Sequence, residues 1–193
     1  MQPALFDLAA IDGFLYRENL FSAAEEAGFV RQFEKPAFKP FEFHGHLGNR
    51  RIVSFGFRYD YGGRCLAAAP PMPDFLQPLK NIAARFSGLP ADSFTHALVT
   101  EYAPGAGIGW HRDKPMFRNV VALSFLSPCR LRFRRRVGET WRREAVAVAP
   151  RSGYRLAGEA RSVWEHSIPA METLRYSVTF RDFEPGYAGP MPE

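Results

Sequence analysis

Two residues, His111 and Asp113, have the types and the spacing needed to hold a metal ion. They end the stretch Glu101–Asp113, and in an extended chain residues i and i+2 lie on the same side. The imidazole and the carboxylate would therefore point into one space. These ligands suit a divalent metal, and a second imidazole would complete the two-histidine, one-carboxylate set of non-haem Fe(II) oxygenases. The pair alone also fits two polar residues at the end of an ordinary strand.

His166 is the candidate for the third ligand. It lies in the segment Val163–Pro169, far from Asp113 in the chain, so only the fold can bring the three residues together. A jelly roll can place such distant strands at one mouth of the barrel. A purely structural role for His166 is the alternative, and the segment that follows it bears on the choice.

The segment Leu174–Arg181 alternates between apolar and polar residues, as a half-buried strand does. Arg175 and Arg181 fall on the polar face, which would point into a barrel. A buried arginine is costly unless an anion pairs with it. Six residues of strand span about 20 Å, so two long side chains reaching toward each other would leave a gap for a small dicarboxylate such as 2-oxoglutarate. Two surface arginines on an edge strand are the alternative.

The elements that must position these residues change in type along the chain. Helical patterns predict one helix from an Asn19 cap to about Phe33, and another from an Asp74 cap to about Phe86. Short β-rich segments with turn signals follow them. The pattern predicts a mainly β fold with flanking helices, of the sandwich or jelly-roll type. The segments are 94–102, 119–126, 129–136, 142–149, 154–156 and 173–182.

Length and composition predict one globular domain over residues 1–193, because 46% of the 193 residues are hydrophobic. The expected parts are helices and a lid in 1–90, a jelly-roll core in 91–183 and a tail in 184–193. No apolar run reaches membrane-spanning length, and the first residues lack the basic start of a secretory signal. Two cysteines are too few for a disulfide framework, which favours a cytoplasmic protein. No oligomer is predicted.

The net charge is +5 and the pI about 9.5, and nearly all of the basic residues are arginines. This balance favours a polyanionic partner such as nucleic acid, with a genomic bias toward arginine as the alternative. Residues 41–64 interleave aromatics and arginines around a predicted hairpin turn at Gly48-Asn49, which fits either base stacking or an ordinary strand pair.

A second basic region is a predicted strand in which arginines alternate with apolar residues. It fits a stripe that tracks phosphates, or a solvated strand partly balanced by Glu139 and Glu144. The arginines of this face are Arg130, Arg132, Arg134 and Arg136.

Together these motifs resemble the AlkB family of Fe(II)- and 2-oxoglutarate-dependent dioxygenases. The family pattern is Asn-x-Tyr, a Pro-Gly loop, His-x-Asp, a distant His, and Arg-x5-Arg in a final strand. The matching residues, in order, are Tyr102, Pro104-Gly105, His111, Asp113, His166, Arg175 and Arg181. The match is strongest over residues 97–182, and the run 50–61 looks like the family's nucleotide-recognition lid.

The resemblance implies a double-stranded β-helix that holds iron through His111, Asp113 and His166. It implies 2-oxoglutarate bound by Tyr102 and Arg175 at its distal carboxylate, with Arg181 near the carboxylate beside the metal. It also implies O2 as the oxidant, and removal of N-alkyl groups from DNA or RNA bases in single strands. The candidate contacts to nucleic acid are Arg51, Phe55, Tyr59, Tyr61, Arg112 and Lys114.

Two positions depart from the family pattern. Thr100 stands where the family has asparagine, so its contact to 2-oxoglutarate is changed, and Pro115 replaces an acidic residue that some members use to read the base. Two alternatives remain open at this point. One is the same chemistry on a protein or small molecule, and the other is a non-catalytic jelly roll that binds nucleic acid through its arginines.

Overall fold

Much of this chain forms β-strands in which apolar and polar residues alternate, and these strands pair into sheets. A computed structural model describes residues 11–43, 46–60 and 65–187. The α-helices in these ranges are α1 (Ala23–Phe33), α2 (Gln77–Ser87) and α3 (Gly158–Ser162). The strands are β1 (Phe14–Arg17), β2 (Lys39–Phe43), β3 (His46–Phe55), β4 (Phe57–Asp60), β5 (Cys65–Ala68), β6 (His96–Tyr102), β7 (Ile108–His111), β8 (Phe117–Phe125), β9 (Cys129–Val137), β10 (Thr140–Val148), β11 (Ser152–Leu156), β12 (Glu165–Ile168) and β13 (Arg175–Phe183).

Two antiparallel sheets form the body of the fold. The large sheet has the strand order β1-β11-β8-β13-β6-β3-β2, and the small sheet has the order β10-β9-β12-β7. One buried cluster joins them, in which Ala122 and Tyr154 of the large sheet meet Leu131 and Phe133 of the small sheet. Two sheets packed face to face around such a core make a jelly roll, and the predicted fold class is confirmed.

The opposite face of the large sheet packs on α1 and α2. Its core includes Phe33 of α1 and Leu79 of α2 against Leu123, Val178 and Phe180 of the sheet, all of them buried. Burying each of these side chains stabilises the fold by about 1.5–3 kcal/mol. The large sheet is therefore held on both faces, which makes it a rigid support for residues that point into the barrel.

Strand β13 lies in the middle of the large sheet, between β8 and β6. Its alternation is the predicted one, because Tyr176, Val178 and Phe180 pack on the helix side. Arg175 and Arg181 lie on the other face, which points into the barrel. The alternative of two surface arginines on an edge strand is thus wrong, since Arg175 is fully buried.

The first helix begins three residues later than the predicted Asn19 cap. Ser22 is the N-cap, because its side chain accepts a hydrogen bond from the Glu25 amide while the Glu25 carboxylate accepts one from the Ser22 amide, at 3.2 and 2.7 Å. This reciprocal capping box outweighs a single Asn side chain. Asn19 instead adopts a left-handed conformation with φ of 56°.

Two other local predictions also need correction. Asp74 begins a short 3-10 turn (Asp74–Leu76) and makes no side-chain cap for α2, whose C-cap is Gly88, with φ of 72°. Gly48 and Asn49 lie inside β3 and not in a turn, since β2 and β3 pair from Lys39 opposite Ile52 to Phe43 opposite His46. No helix in the described part of the chain is long and apolar enough to cross a membrane.

Gly56 joins β3 to β4 at a point where the backbone cannot accept a side chain. Its φ is +79°, and an added Cβ would overlap the carbonyl oxygen of Thr95. We expect Gly56→Ala to lower the free energy of unfolding by about 2–3 kcal/mol, because strain and a backbone clash add up. Denaturant titration measures this.

Gly88→Ala is the matched control for Gly56→Ala. Gly88 has a similar φ of +72°, but a Cβ added there would meet nothing within 4 Å, so only the conformational strain of about 1 kcal/mol should appear. Equal losses in the two variants would show that the close approach to Thr95 costs nothing.

Candidate active site

His111, Asp113 and His166 meet at one end of the small sheet. His111 ends β7 and His166 lies opposite it in β12, because the two strands pair in that register. The candidate ligand atoms of the three residues all lie within 4.8 Å of one another, and the two imidazole ring centroids are 4.2 Å apart. Asp113 lies in the loop two residues beyond β7, so the expected proximity holds although the strand ends earlier than the i, i+2 argument assumed.

The hydrogen bond of His111 fixes which of its nitrogens can bind a metal. Its Nδ1 lies 2.8 Å from the carbonyl oxygen of Gly109, and a carbonyl can only accept. Nδ1 therefore carries the proton, and the lone pair of Nε2 is left for a metal. Such an outer contact is the usual way in which a protein orients a metal-binding histidine.

The charges at this site match what a metal requires of its ligands. Burial disfavours the Asp113 carboxylate, but the Arg181 guanidinium outweighs this and holds its pKa well below the usual value. Burial and the neighbouring His111 lower the pKa of His166 to about 3. At neutral pH the site thus presents one carboxylate and two neutral imidazoles, the protonation states that bind a divalent metal.

Arg181 is bound to Asp113 directly. Its Nε and Nη2 both donate to Oδ1 of Asp113, at 3.2 and 2.9 Å, while Oδ2 lies 3.5 Å from Nε2 of His166. The second terminal nitrogen of Arg181 lies 3.4 Å from Nδ1 of His96, a buried residue that sequence reasoning missed. Arg181 therefore lies beside the candidate metal ligands, and its expected place near a carboxylate of 2-oxoglutarate stays a prediction.

Arg175 lies fully buried at the other end of β13's inward face. Its Nε donates to the Ser124 hydroxyl at 3.0 Å, and its two terminal nitrogens are buried with no hydrogen-bond partner among the described residues. The Tyr102 ring lies 5.2 Å from its guanidinium carbon. A buried cation with two unpaired donors fits a carboxylate, which can accept from both at once.

Small polar side chains lie between the two arginines on the inner face of the large sheet. Ser177 of β13 pairs with Thr100 of β6 and with Ser124 of β8, and all three are buried. The inner face of the sheets thus brings together a candidate metal-binding triad, small polar side chains and a buried guanidinium. This donor set fits Fe(II) together with a dicarboxylate.

The candidate nucleic-acid residues lie in different parts of the structure. The β4–β5 hairpin brings the Tyr59 ring to 3.9 Å from Nζ of Lys114, the residue after Asp113. Arg112 is exposed beside them. Phe55 is buried in the core on the helix side of the large sheet, so its ring cannot stack on a base. Tyr61 lies outside the described residues.

Arg51 has a structural partner that the sequence did not indicate. Its Nε and Nη2 donate to the two carboxylate oxygens of Glu101 at 2.7 and 2.9 Å, and Glu101 also accepts from the Tyr176 hydroxyl at 3.0 Å. This cluster joins β3, β6 and β13. Arg51 therefore fixes the strand before the hairpin, while about half of its side chain remains exposed.

Arg161 of α3 is a second residue that sequence reasoning missed. Its Nη1 donates to the backbone carbonyl of Lys114 at 3.1 Å and approaches that of Asp113 at 3.5 Å. It is buried, and it holds the loop that positions the carboxylate ligand. The five-residue helix α3 is too short to give a periodic signal in the sequence, so nothing there marks Arg161.

Comparisons with known proteins agree with this geometry. Residues 13–181 match the family described as the 2OG-Fe(II) oxygenase superfamily. A relative from Arabidopsis thaliana, named alkylated DNA repair protein ALKBH8 homolog, is 29% identical over 147 residues, which are 64% of this chain and 42% of that protein. The solved structure of OsALKBH1 superimposes with a TM-score of 0.64 over 88% of this chain and 96% of that one, at 16% identity, and shows a shared fold.

We expect Asp113→Ala to abolish measurable Mn(II) binding in the absence of oxygen, because the variant removes the only anionic group of the three-residue cluster. Loss of an outer contact alone costs about 10–100-fold in metal affinity, so the loss here should be larger. Arg112→Ala, which removes the adjacent exposed side chain, serves as the control. Wild-type Mn(II) affinity in Asp113→Ala would remove the triad as the metal site.

Proposed function

We propose that this chain, which belongs to the 2OG-Fe(II) oxygenase superfamily, oxidatively removes alkyl groups from the bases of nucleic acid. Membership of the superfamily makes it a dioxygenase that uses Fe(II), 2-oxoglutarate and O2, and its AlkB-like character is confirmed. The chain covers 42% of the length of the ALKBH8 homolog. The proposed substrate therefore rests on the residues around the candidate site.

We assign the iron to His111, Asp113 and His166, whose donors and protonation states fit it. Fe(II) and 2-oxoglutarate held there would, with O2, supply the oxidant that inserts an oxygen atom into a C–H bond of an N-methyl group, with succinate and CO2 as the co-products. The hydroxymethyl product then loses formaldehyde and leaves the unmodified base. Arg161 and Arg181 hold Asp113 in place during this sequence.

We assign the distal carboxylate of 2-oxoglutarate to the terminal nitrogens of Arg175, with Tyr102 beside it. Thr100 supplies a hydroxyl on the same wall, in place of the family's asparagine. Arg181 neutralises negative charge next to the metal, which lets a second carboxylate approach Asp113. The two arginines thus fix the direction in which the co-substrate lies along β13.

The observation that supports a nucleic-acid substrate is the pairing of Tyr59 with Lys114 beside Asp113. An aromatic ring on a hairpin can stack a base that has left its helix, and a nearby ammonium can neutralise the phosphate that follows it. Arg112 adds an exposed cation two residues before Lys114. The net charge of +5 favours the same class of partner.

We further propose single strands as the preferred form, because a base in a duplex must first be unpaired at a cost of a few kcal/mol. A role in DNA repair follows if the strand is DNA. We place the protein in the cytoplasm, where the buried free thiol of Cys129 would stay reduced. Residues 91–183 form the catalytic part in this proposal, and the preceding residues supply the helices and the β4–β5 hairpin.

We expect Arg175→Met to weaken 2-oxoglutarate binding by about 2–5 kcal/mol, because it removes the charge that meets a buried carboxylate. Anaerobic titration of the Fe(II)-loaded protein, followed through its metal-to-ligand charge-transfer band, measures the affinity. Arg181→Ala should also weaken binding, by about 1.5–3 kcal/mol for one charged contact. It should in addition weaken Fe(II) binding, which Arg175→Met should leave unchanged. Unchanged 2-oxoglutarate affinity in Arg175→Met would contradict the assignment.

The substrate is tested by a screen of N-methylated oligonucleotides, DNA and RNA, single-stranded and duplex, for release of formaldehyde. We expect release from at least one single-stranded substrate, with Asp113→Ala as the inactive control. The uncoupled conversion of 2-oxoglutarate to succinate shows that the enzyme is loaded and active. Succinate without formaldehyde from every oligonucleotide would favour a protein or small molecule as the substrate.

A further inference from the structure

The outer face of the small sheet bears five side chains that stack on one another. Arg134 lies between two indoles, with its guanidinium carbon 4.5 Å from the Trp110 ring and 4.4 Å from the Trp141 ring. Arg132 covers Trp110 at 5.0 Å, and Arg136 covers Trp141 at 5.9 Å. We call this set the outer ladder; its members are Trp110, Arg132, Arg134, Arg136 and Trp141.

The three ladder arginines are each held by one nitrogen. Nε of Arg132 donates to the Ser167 hydroxyl, Nε of Arg134 to the Glu165 carboxylate, and Nε of Arg136 to the carbonyl of Gly138, at 3.1, 2.6 and 3.2 Å. Their terminal nitrogens, in contrast to Nε, make no hydrogen bond to any of the described residues. Each guanidinium is thus oriented by the protein while its terminal N–H groups remain available to an anion.

The charge of this face is positive and regular. Glu165 balances Arg134, but Arg130 and Arg143 add two more exposed guanidiniums on the same face of β9 and β10. Alternate residues of a strand repeat every ~6.8 Å, a spacing on the scale of neighbouring phosphates in an extended nucleic-acid strand. A row of rigid guanidiniums at this interval suits a chain of phosphates better than a single anion.

The ladder is continuous with the active site. Trp110 directly precedes His111, and Glu165 and Ser167 flank His166, so β7 and β12 present metal ligands on their inner face and ladder contacts on their outer face. Strand β7 is also the edge of the small sheet. A strand that leaves the site beside Asp113 needs only to cross this edge to lie along the ladder.

We propose that the outer ladder binds the phosphate backbone of single-stranded nucleic acid next to the nucleotide that enters the active site. This inference rests on the proposed function, because it places on the ladder the part of the same nucleic-acid strand that lies beyond the Tyr59–Lys114 pair. The ladder contacts phosphates and reads no base. Its contribution is affinity that grows with the length of the strand and falls with salt.

The test measures binding of unmodified oligothymidylates of about 4 and about 16 nucleotides, a range typical of single-strand sites. Arg132→Gln/Arg136→Gln removes two ladder cations, and Arg31→Gln/Arg85→Gln removes two exposed cations from the helices on the far side of the large sheet. We expect the ladder variant to bind the long strand about tenfold more weakly and to reduce the salt slope by about 1.4, or about 0.7 per phosphate contact. The helix variant should match wild type.

Several outcomes would overturn the proposal. They are equal loss in the two double variants, an unchanged salt slope in the ladder variant, or an affinity in wild type that does not increase from the short to the long strand. Stronger binding of a glutamate-rich peptide than of the long strand would assign the face to an acidic protein instead. Thermal unfolding of each variant confirms that the proteins compared are folded.

A second readout uses the native fluorophores. Trp110 and Trp141 belong to the ladder, whereas Trp164 is fully buried. Binding of the long strand should therefore change tryptophan emission in wild type, and less so in Trp141→Phe. Because this binding needs no turnover, ladder binding without formaldehyde release would contradict the proposed function alone, and formaldehyde release with intact binding in the ladder variant would contradict this inference alone.

Discussion

The buried charge of Asp113 is the constraint on which the rest of the structure depends. A carboxylate without a partner at that depth would cost several kcal/mol, and the two neutral imidazoles beside it cannot balance it. Arg181 supplies the balancing cation through two hydrogen bonds to one oxygen. The other oxygen is left toward His166, so the same ion pair that makes the burial tolerable also orients the ligand.

This pairing fixes the register of the large sheet. Arg181 and Arg175 lie on the same face of β13, so a slip of one residue against β6 and β8 would turn both arginines toward the helices and Phe180 toward Asp113. The slip would bury both guanidiniums among apolar side chains and would leave the Asp113 carboxylate without its cation. The apolar residues of β13 pack on α1 and α2, and its polar residues point into the barrel. One alternation along this central strand therefore determines both the core and the candidate active site.

The β4–β5 hairpin follows a different rule, because it belongs to a two-stranded sheet. Its position depends on a few contacts: Arg51 with Glu101 holds the preceding strand, and Phe57 and Leu66 pack on Phe117 near the end of β13. The loop that carries Asp113 is held more directly, by hydrogen bonds from Arg161 and Arg181.

Sequence reasoning succeeded where the physics is local or repeats along the chain. The alternation of β13 states which side chains share a face, and that statement holds; His111 and Asp113 do lie close together as expected, although Asp113 is in a loop and not on the face of a strand. It failed where a choice depends on distant partners. Phe55 sits in a strand that looks like a substrate lid but packs on the helix side, and Gly48-Asn49 has turn-forming residues but continues a ten-residue strand.

Residues whose roles come from tertiary contacts alone gave no signal. Arg161 donates to a backbone carbonyl that any residue could offer, and His96 lies among the alternating residues of β6 without a motif. The Ser22 box was visible in principle, since Ser-x-x-Glu precedes a helical run, but Asn19 was an equally acceptable cap by residue type. The structure decides between them by satisfying two backbone amides and not one.

One device serves the arginines inside and outside the barrel. Arg175 is oriented by a hydrogen bond from Nε to Ser124, and Arg132 by a hydrogen bond from Nε to Ser167, and in both the terminal nitrogens face away from the anchor. A free arginine loses up to about 2 kcal/mol of side-chain entropy when a ligand immobilises it. Because the hydrogen bond at Nε already orders the side chain during folding, the terminal nitrogens can bind an anion with little further loss of entropy. The interior arginine does this as a single buried cation beside Ser124 and Tyr102, whereas the exterior arginines do it as a row along the outer face of β9.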